Sequence, residues 1–220
     1  MIMTYDDIRR DEAVKVYIAQ ADASMEALGF TEHSFAHVGH VAHMAGDILE
    51  KLGHSPRSVE LARIAGYLHD IGNLVNRVDH SQSGAVMAFR ILDRMNFPPE
   101  EIASIVTAIG NHDEGTGVPV NAVAAALIIA DKSDVRRSRV RTKADISADI
   151  HDRVNYAVTD AALEILPEEK QILLSLTIDT GISPVMEYLE IFMKRMLLCR
   201  KAAEKLGCRF RLKVNGQLLV

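Results

Sequence analysis

Residues 64–72 read Ile-Ala-Gly-Tyr-Leu-His-Asp-Ile-Gly and place an imidazole beside a carboxylate within an apolar stretch. A polar group that leaves water without gaining a partner costs several kcal/mol. His69 and Asp70 therefore both need partners, and coordination of a metal ion satisfies both at once. Other side chains suited to ligate a metal lie elsewhere in the chain, namely His37 upstream and His80, His112 and Asp131 downstream.

Composition describes an ordinary globular chain. Its 220 residues are 48% hydrophobic and 25% charged, which suffices for one large core with or without an appendage. The net charge of -5 argues against a protein that binds nucleic-acid duplexes, because such binding depends on clustered Lys and Arg. It leaves open a nucleotide substrate held by a local positive site. The longest apolar run, residues 122–130, is far shorter than the ~20 residues that cross a bilayer, so we expect no membrane partner.

The cysteine content and the first residues predict a cytoplasmic location. Cys199 and Cys208 are too few for a disulfide framework, so a reducing compartment is the simplest expectation for this chain. Residues 1–10 have no apolar core of the kind found in a signal peptide.

The first two-thirds of the chain is predicted to be helical. Thr4 and Asp7 resemble a capping box, and apolar residues at helical spacing extend this first helix to Gly29. The serine and proline at positions 55–56 start another helix, which we expect to include His69 and Asp70. The remaining predicted helices are 34–52, 83–95, 99–109 and 120–131, with a loop over 73–79.

The character of the sequence changes after about residue 145. Residues 154–165, 171–178 and 209–214 are rich in strand formers, and Asn215-Gly216 is a turn signal. A helix is predicted over 184–206, ending before Gly207. The fold class is therefore mostly α, a helical bundle with a small C-terminal α+β extension of antiparallel strands and one helix. The predicted domains are residues 1–147 and 148–220.

Local context strengthens two of the candidate ligands. Asp131 closes the most apolar helix of the chain, where a lone buried carboxylate is costly. Pairing with a buried Arg, or capping of a neighbouring helix, would also satisfy it. On the helix that carries His69, the preceding positions of the same face are Gly66, Ala65 and Ala62, small residues that let another helix approach. A histidine satisfied within the core is the alternative for His69.

The other histidines fall into two groups. His33, His37 and His40 share one helix face by spacing, although His33 can precede the helix. His43 and His54 are expected at the surface. His151-Asp152 repeats the central dipeptide in a polar stretch, and we expect no metal site there.

Together these positions resemble the HD superfamily of metal-dependent phosphohydrolases, which is named for a His…His-Asp…Asp ligand set on a helical bundle. The matching residues are His37, His69-Asp70 and Asp131, each within a segment that looks like the corresponding family helix. The resemblance covers about residues 30–140. It implies that His69 and Asp70 lie at the catalytic centre.

A partial resemblance to the HD-GYP branch implies extra histidine ligands, which match His80 and His112 here. Asp113 stands where that branch has a second histidine, and Asn73 replaces a lysine that is usual after the signature glycine. These departures argue against cyclic-di-GMP as the substrate and leave the metal ligands intact.

The resemblance implies one or two divalent transition metal ions, with Asp70 as the bridge between them. One ion would be held by His37, His69 and Asp131, and the other by His80 and His112. Such a set suits Mn, Fe, Co, Ni or Zn better than Mg, which prefers oxygen ligands. The expected reaction is hydrolysis of a phosphomonoester or phosphodiester, of a nucleotide or a related small phosphate, by a metal-activated water.

The candidates for binding the substrate phosphate are Lys132, Arg136 and Arg77, where Arg136 depends on continuation of the helix that carries Asp131. A solvated basic face is the alternative for the arginines after Lys132. Two other functions stay open. In one, a non-catalytic module senses a nucleotide or metal and signals through the C-terminal subdomain. In the other, the histidines are ligands of a structural zinc ion, although closed zinc sites usually employ Cys as well and neither Cys199 nor Cys208 is near the set. An exposed strand edge in the tail makes a homodimer a further expectation.

Overall fold

Nine helices and four strands make up the part of the chain that the structure, a computed structural model, describes, which is residues 3–141 and 150–219. The helices are α1 (Tyr5–Arg10), α2 (Glu12–Ala27), α3 (Phe35–Lys51), α4 (Pro56–Leu68), α5 (His80–Arg94), α6 (Pro99–Gly110), α7 (Ala122–Lys132), α8 (Ile150–Ala157) and α9 (Val185–Lys205). The strands are β1 (Val158–Leu166), β2 (Gln171–Ile178), β3 (Arg209–Val214) and β4 (Gln217–Leu218). Short 3₁₀ turns cover Ile71–Leu74 and Arg137–Arg139. The predicted domain boundary at 147/148 lies outside the described residues.

Capping residues set the starts of the first helices. The capping box of Thr4 and Asp7 is present, which confirms the predicted start of α1. The prediction that a single helix runs from this start to Gly29 is wrong, because the segment forms two helices. Asp11 has an extended backbone and its carboxylate accepts the backbone N–H of Val14 at 3.0 Å, so it ends α1 and caps α2.

Helix ends near the predicted site also differ from the sequence-based boundaries. Helix α4 ends at Leu68, so that Asp70 follows the helix and begins the 3₁₀ turn rather than lying within a helix. Helix α5 starts at His80, after Asp79 takes a left-handed backbone conformation with a φ of 56°. Helix α7 ends at Lys132, so Arg136 does not continue it.

The helical core is built around α7, which is packed between α3, α4, α6 and α9. Residues 123–130 of α7 are all buried, as the apolar run predicts. Helices α3 and α4 approach closely where Gly66 faces Ala42, since a Cβ at Gly66 would lie 2.7 Å from the Ala42 Cα. The small face predicted for α4 is therefore used for close helix packing.

The C-terminal extension is a four-stranded sheet in the order β1-β2-β3-β4. The α+β composition is as predicted, but the sheet is mixed. The pairs β1–β2 and β3–β4 are antiparallel, whereas β2 and β3 are parallel, because α9 carries the chain back to the end of the sheet where β2 begins. The predicted first strand also begins too early, since residues 154–157 belong to α8.

Helix α9 joins the two parts of the fold, because it packs against both β3 and α7. None of the helices in the described ranges is long and apolar enough to cross a membrane.

Candidate metal centre

The six predicted ligands converge at one place from five helices. His37 lies in the first turn of α3, His69 and Asp70 follow the last turn of α4, and His80 is the first residue of α5. His112 comes just after α6, and Asp131 lies in the last turn of α7. All four imidazoles and Asp70 are buried, and Asp131 is nearly so.

Glycine at position 72 brings α5 next to Asp70. A Cβ at Gly72 would lie 2.0 Å from the carbonyl oxygen of His80 and 2.4 Å from the backbone nitrogen of Gly84. Any side chain there would push the start of α5 away. Gly72 is therefore what allows His80 to reach the carboxylate of Asp70.

The carboxylate of Asp70 lies between two pairs of histidines. Its Oδ2 atom is 3.2 Å from His69 Nε2 and 3.4 Å from His37 Nε2. Its Oδ1 atom is 3.5 Å from His80 Nε2 and 4.0 Å from His112 Nε2. The two oxygens therefore face different histidine pairs. Asn73 donates from Nδ2 to Oδ1 at 3.0 Å and fixes the orientation of the carboxylate.

Asp131 faces the first of these pairs. Its Oδ1 atom is 3.5 Å from His37 Nε2 and 3.6 Å from His69 Nε2. His37, His69 and Asp70 form one group whose candidate ligand atoms all lie within 4.8 Å of one another. The same holds for Asp70, His80 and His112, and for His69, His112 and Asp131.

The outer nitrogens of the four imidazoles contact hydrogen-bond acceptors. Nδ1 of His37 is 2.7 Å from Asp134 Oδ2, and Nδ1 of His69 is 2.8 Å from the carbonyl oxygen of Gly66. The other two rings follow the same rule, with Nδ1 contacting Ile109 O in His112 and Arg77 O in His80. Because carbonyl oxygens and an ionised carboxylate only accept, these contacts favour the tautomer with the ring proton on Nδ1, in which Nε2 is the ligand atom.

The inward-facing nitrogens supply the test of whether a metal fits. Nε2 of His37 and Nε2 of His69 are buried and have no hydrogen-bond partner among the described residues. The carboxylate oxygens near them are farther away than the ~2.7–2.9 Å of a charge-assisted hydrogen bond. Buried polar atoms without partners are costly, and a cation between the nitrogens and the carboxylates satisfies both. The residues present therefore fit a divalent metal.

The charges of the cluster stabilise one another. Burial alone would raise the pKa of Asp70, but the adjacent His69 and His37 hold it well below its usual range. Burial alone would lower the pKa of His69, whereas Asp70 and Asp131 raise it to about 10. The carboxylates are thus ionised at neutral pH, and a metal ion must displace the proton that His69 otherwise takes.

The remaining histidines are placed as follows. His33 precedes α3, and its Nε2 lies 3.9 Å from Asp70 Oδ2, at the edge of the cluster. His43 is exposed as predicted, while His54 is half-buried. His151 and Asp152 are outside the metal-binding groups found among the described residues, yet both line the cavity beside the centre.

That cavity has a volume of about 410 Å³ and opens onto Asp70, His80 and Asp131. Its wall includes the aromatic rings of Phe30 and Phe192. Four cationic side chains and four carboxylates line it, namely Arg77, Lys132, Arg139 and Arg195, and Asp70, Glu114, Asp131 and Asp152.

Two of the three predicted phosphate-binding residues line the cavity, and the third does not. Lys132 lines the cavity, with Nζ 2.7 Å from Asp131 Oδ2 and 2.8 Å from Glu114 Oε2. Arg77 also lines it, with a terminal nitrogen 3.2 Å from His80 Nε2. Arg136 does not line the cavity. Because α7 ends at Lys132, Arg136 lies instead against Asp134, to which it donates at 3.0 Å.

Sequence reasoning missed four residues of the site. Asp134 orients His37, Glu114 pairs with Lys132, and Arg139 and Arg195 line the cavity. Asp134 and Glu114 lie three and two residues after predicted ligands, which is a usable signal for residues that support a site. Arg195 lies on α9, far along the chain, and nothing in its local sequence distinguishes it from the other basic residues of that helix.

The fold and the cluster define a helical protein with a buried histidine–aspartate centre suited to a divalent metal. The family model described as HD domain matches residues 34–157, more than half of the chain, and the chain belongs to that family. HD domains bind divalent metals and are typically metal-dependent hydrolases.

A protein of Methanocaldococcus jannaschii that is described as uncharacterized is 27% identical over 162 residues. The match covers 63% of this chain and 62% of that relative, so this chain spans less than two thirds of the relative's length.

Proposed function

We propose that the chain is a phosphohydrolase with two divalent transition metal ions, which hydrolyses a phosphomonoester or phosphodiester of a nucleotide-sized substrate. The observation that carries the proposal is the position of Asp70, whose two oxygens face two different histidine pairs. A carboxylate in that position can bridge two ions, which is the arrangement used for phosphoryl chemistry.

Each ion has its own ligands from this chain. His37, His69 and Asp131 would hold one ion and His80 and His112 the other, with Asp70 shared between them. Imidazole-rich sites of this kind favour Mn, Fe, Co, Ni or Zn. When bound, such ions supply an activated water at neutral pH and Lewis-acid stabilisation of phosphoryl charge.

Lys132 is suited to hold a phosphoryl oxygen. Burial alone would lower its pKa, but Asp131 and Glu114 raise it, so the ammonium group stays charged inside the cavity wall. Arg77 adds a second cation beside His80. Binding by these two groups would orient the phosphate against the cluster.

The size and charge of the cavity support a small anionic substrate. A volume of about 410 Å³ falls in the ~300–1,000 Å³ range of small-molecule pockets. The four cations and four carboxylates of its wall balance one another, so that two divalent ions would give a positive site. A positive pocket in a chain of net charge -5 favours a phosphorylated small molecule over a nucleic-acid duplex.

Metal analysis combined with one isosteric change tests the proposal. Wild-type protein purified without chelator should carry about two transition metal ions per chain and hydrolyse p-nitrophenyl phosphate or its bis ester. Asp70→Asn should lose metal and turnover while the helical circular dichroism spectrum is kept. Asp93→Asn, at an exposed position of α5, is the control and should behave as wild type.

Two outcomes count against the proposal. Full hydrolysis by Asp70→Asn would remove the assigned role of the bridge. Tight binding of nucleotides by metal-loaded wild type, without turnover of any phosphate ester in a broad screen, would favour the sensor module instead.

A further inference from the structure

Helix α9 contributes an arginine to the wall of the metal-site cavity. Arg195 and Phe192 both line the cavity, although the match to the HD domain family ends at residue 157. The helix can reach the site because it packs directly on α7, the helix that carries Asp131 and Lys132. Part of the cavity wall therefore comes from outside the family-matched region.

The side chain of Arg195 is held by two contacts. Its Nε donates to Glu114 Oε1 at 3.0 Å, and its guanidinium carbon lies 4.5 Å from the centre of the buried Phe192 ring. These contacts involve the Nε–H group and one face of the guanidinium group. Its two terminal nitrogens have no hydrogen-bond partner within residues 3–141 and 150–219. The edge formed by these two terminal nitrogens is therefore available for a bidentate ligand.

A short chain of alternating charges links Arg195 to the metal centre. Glu114 contacts Arg195 through Oε1 and lies 2.8 Å from Lys132 Nζ through Oε2. Lys132 in turn lies 2.7 Å from Oδ2 of Asp131. Glu114 thus places two cations side by side on the cavity wall, next to one of the predicted metal ligands.

Arg139, another arginine of the cavity wall, differs from Arg195 in its hydrogen bonds. It donates from Nε to the carbonyl oxygen of Glu32 at 3.0 Å and from a terminal nitrogen to that of Asp134 at 2.9 Å. It is also almost fully buried, whereas about a quarter of the Arg195 side chain is exposed. Arg139 therefore uses its donors to connect two loop segments, whereas Arg195 lines the cavity and bonds to the described residues through Nε alone.

We propose that Arg195 is a substrate-binding residue, which grips two non-bridging oxygens of the substrate's phosphate from the side of α9. The proposal rests on the function proposed above, and it makes the C-terminal subdomain part of the active site. The ligand class is a terminal phosphate group, which offers the pair of oxygens that a guanidinium fork matches.

Titration calorimetry with inorganic phosphate tests this role separately from turnover. The protein is used at full length and supplemented with Mn²⁺. Arg195→Ala should weaken phosphate binding about 10-fold or more, the effect of losing a charge-assisted bidentate contact. Arg195→Lys should recover part of the loss, since an ammonium keeps the charge without the fork. Arg200→Ala, which removes an exposed arginine of the same helix, should bind phosphate as wild type does.

Steady-state kinetics and metal analysis complete the test. Metal content should be equal in all four proteins, and the KM of Arg195→Ala for p-nitrophenyl phosphate should rise more than its kcat falls. Wild-type phosphate affinity in Arg195→Ala, an equal loss in Arg200→Ala, or no phosphate binding by wild type would each overturn the inference. Phosphate binding that depends on Arg195 in a protein without turnover would refute the proposed hydrolysis and leave the role of Arg195 standing.

Discussion

His80 Nε2 lies 3.2 Å from His112 Nε2 in the buried centre of the protein. Backbone carbonyl oxygens contact the Nδ1 atom of each ring, so both Nε2 atoms present lone pairs to each other. Burial also lowers the pKa of both imidazoles, which disfavours a proton between them. Two facing lone pairs repel each other, and positive charge beside them relieves the repulsion. The Arg77 guanidinium, 3.2 Å from His80 Nε2, supplies part of that charge, and a metal ion held by both Nε2 atoms and Asp70 Oδ1 would supply more.

Loss of one of these rings should remove one of the two proposed ions. His80→Ala takes away a proposed ligand of the ion on the Oδ1 side of Asp70 and leaves His37, His69 and Asp131 in place. Metal content measured by mass spectrometry should fall from about two ions per chain to about one. His43→Ala, at an exposed histidine of α3, should retain both. Two ions in His80→Ala would exclude His80 as a ligand.

Asp134 should tune metal affinity without touching the metal. Its Oδ2 accepts the Nδ1 proton of His37 at 2.7 Å, which orients the ring and raises its basicity. Asp134→Asn keeps the shape but loses the charge, and we expect metal affinity to fall about 10- to 100-fold. Competition with a chromophoric chelator measures this change, with Asp93→Asn as control. An unchanged affinity would show that His37 needs no charged partner.

Gly66 should be intolerant of a methyl group. Gly66→Ala places a Cβ 2.7 Å from the Ala42 Cα, and the resulting separation of α3 and α4 should cost about 1–3 kcal/mol. Gly39→Ala is the matched control, because nothing lies within 4 Å of a Cβ there and alanine favours the helix by about 0.5–1 kcal/mol. Urea unfolding should therefore show opposite signs for the two changes. Equal effects would contradict the close approach of α3 and α4.

The ion pairs of Glu114 should make stability depend on acid pH. Burial alone would raise the pKa of this carboxyl, but Lys132 and Arg195 hold it well below its ordinary value of 4.5. A carboxyl whose pKa is depressed in the folded state stabilises the fold fully above pH 4.5, the ordinary pKa of the group. That stabilisation is lost progressively as the pH falls below this value. Denaturation of chelator-treated protein should show wild type more stable than Glu114→Gln at pH 7.

The same comparison at lower pH shows whether the stabilisation by Glu114 is lost in acid. The difference between wild type and Glu114→Gln should shrink between pH 4.5 and pH 3, while Glu204→Gln, at an exposed site of α9, should follow wild type throughout. A difference that stays constant with pH would show that the carboxylate charge of Glu114 does not contribute.

Local signals predicted much of the fold. The capping residues at positions 4, 34 and 55 start helices as expected, and the apolar run of residues 123–130 is the buried α7. The errors occur where local signals compete. Asp11 fits the periodicity of one long helix and is also an N-cap, and capping decides the outcome. The parallel pairing of β2 and β3 depends on where α9 returns the chain, which no local pattern of alternation encodes.

By itself, the sequence determined the chemistry of the centre. The apolar surroundings of His69, Asp70 and Asp131 marked them as candidate ligands, because buried imidazoles and carboxylates need partners wherever they are placed. The resemblance to the HD superfamily, and to its HD-GYP branch, added His37, His80 and His112. Tertiary structure decided which oxygen of Asp70 faces which histidine pair, and which cations reach the cavity. Arg136 lies close to Asp131 in sequence and donates to Asp134 outside the cavity, whereas Arg195 lies far along the chain from Asp131 and lines the cavity. The physical reason is that contacts across a site depend on how helices pack, and that packing is set by side chains far apart in the chain.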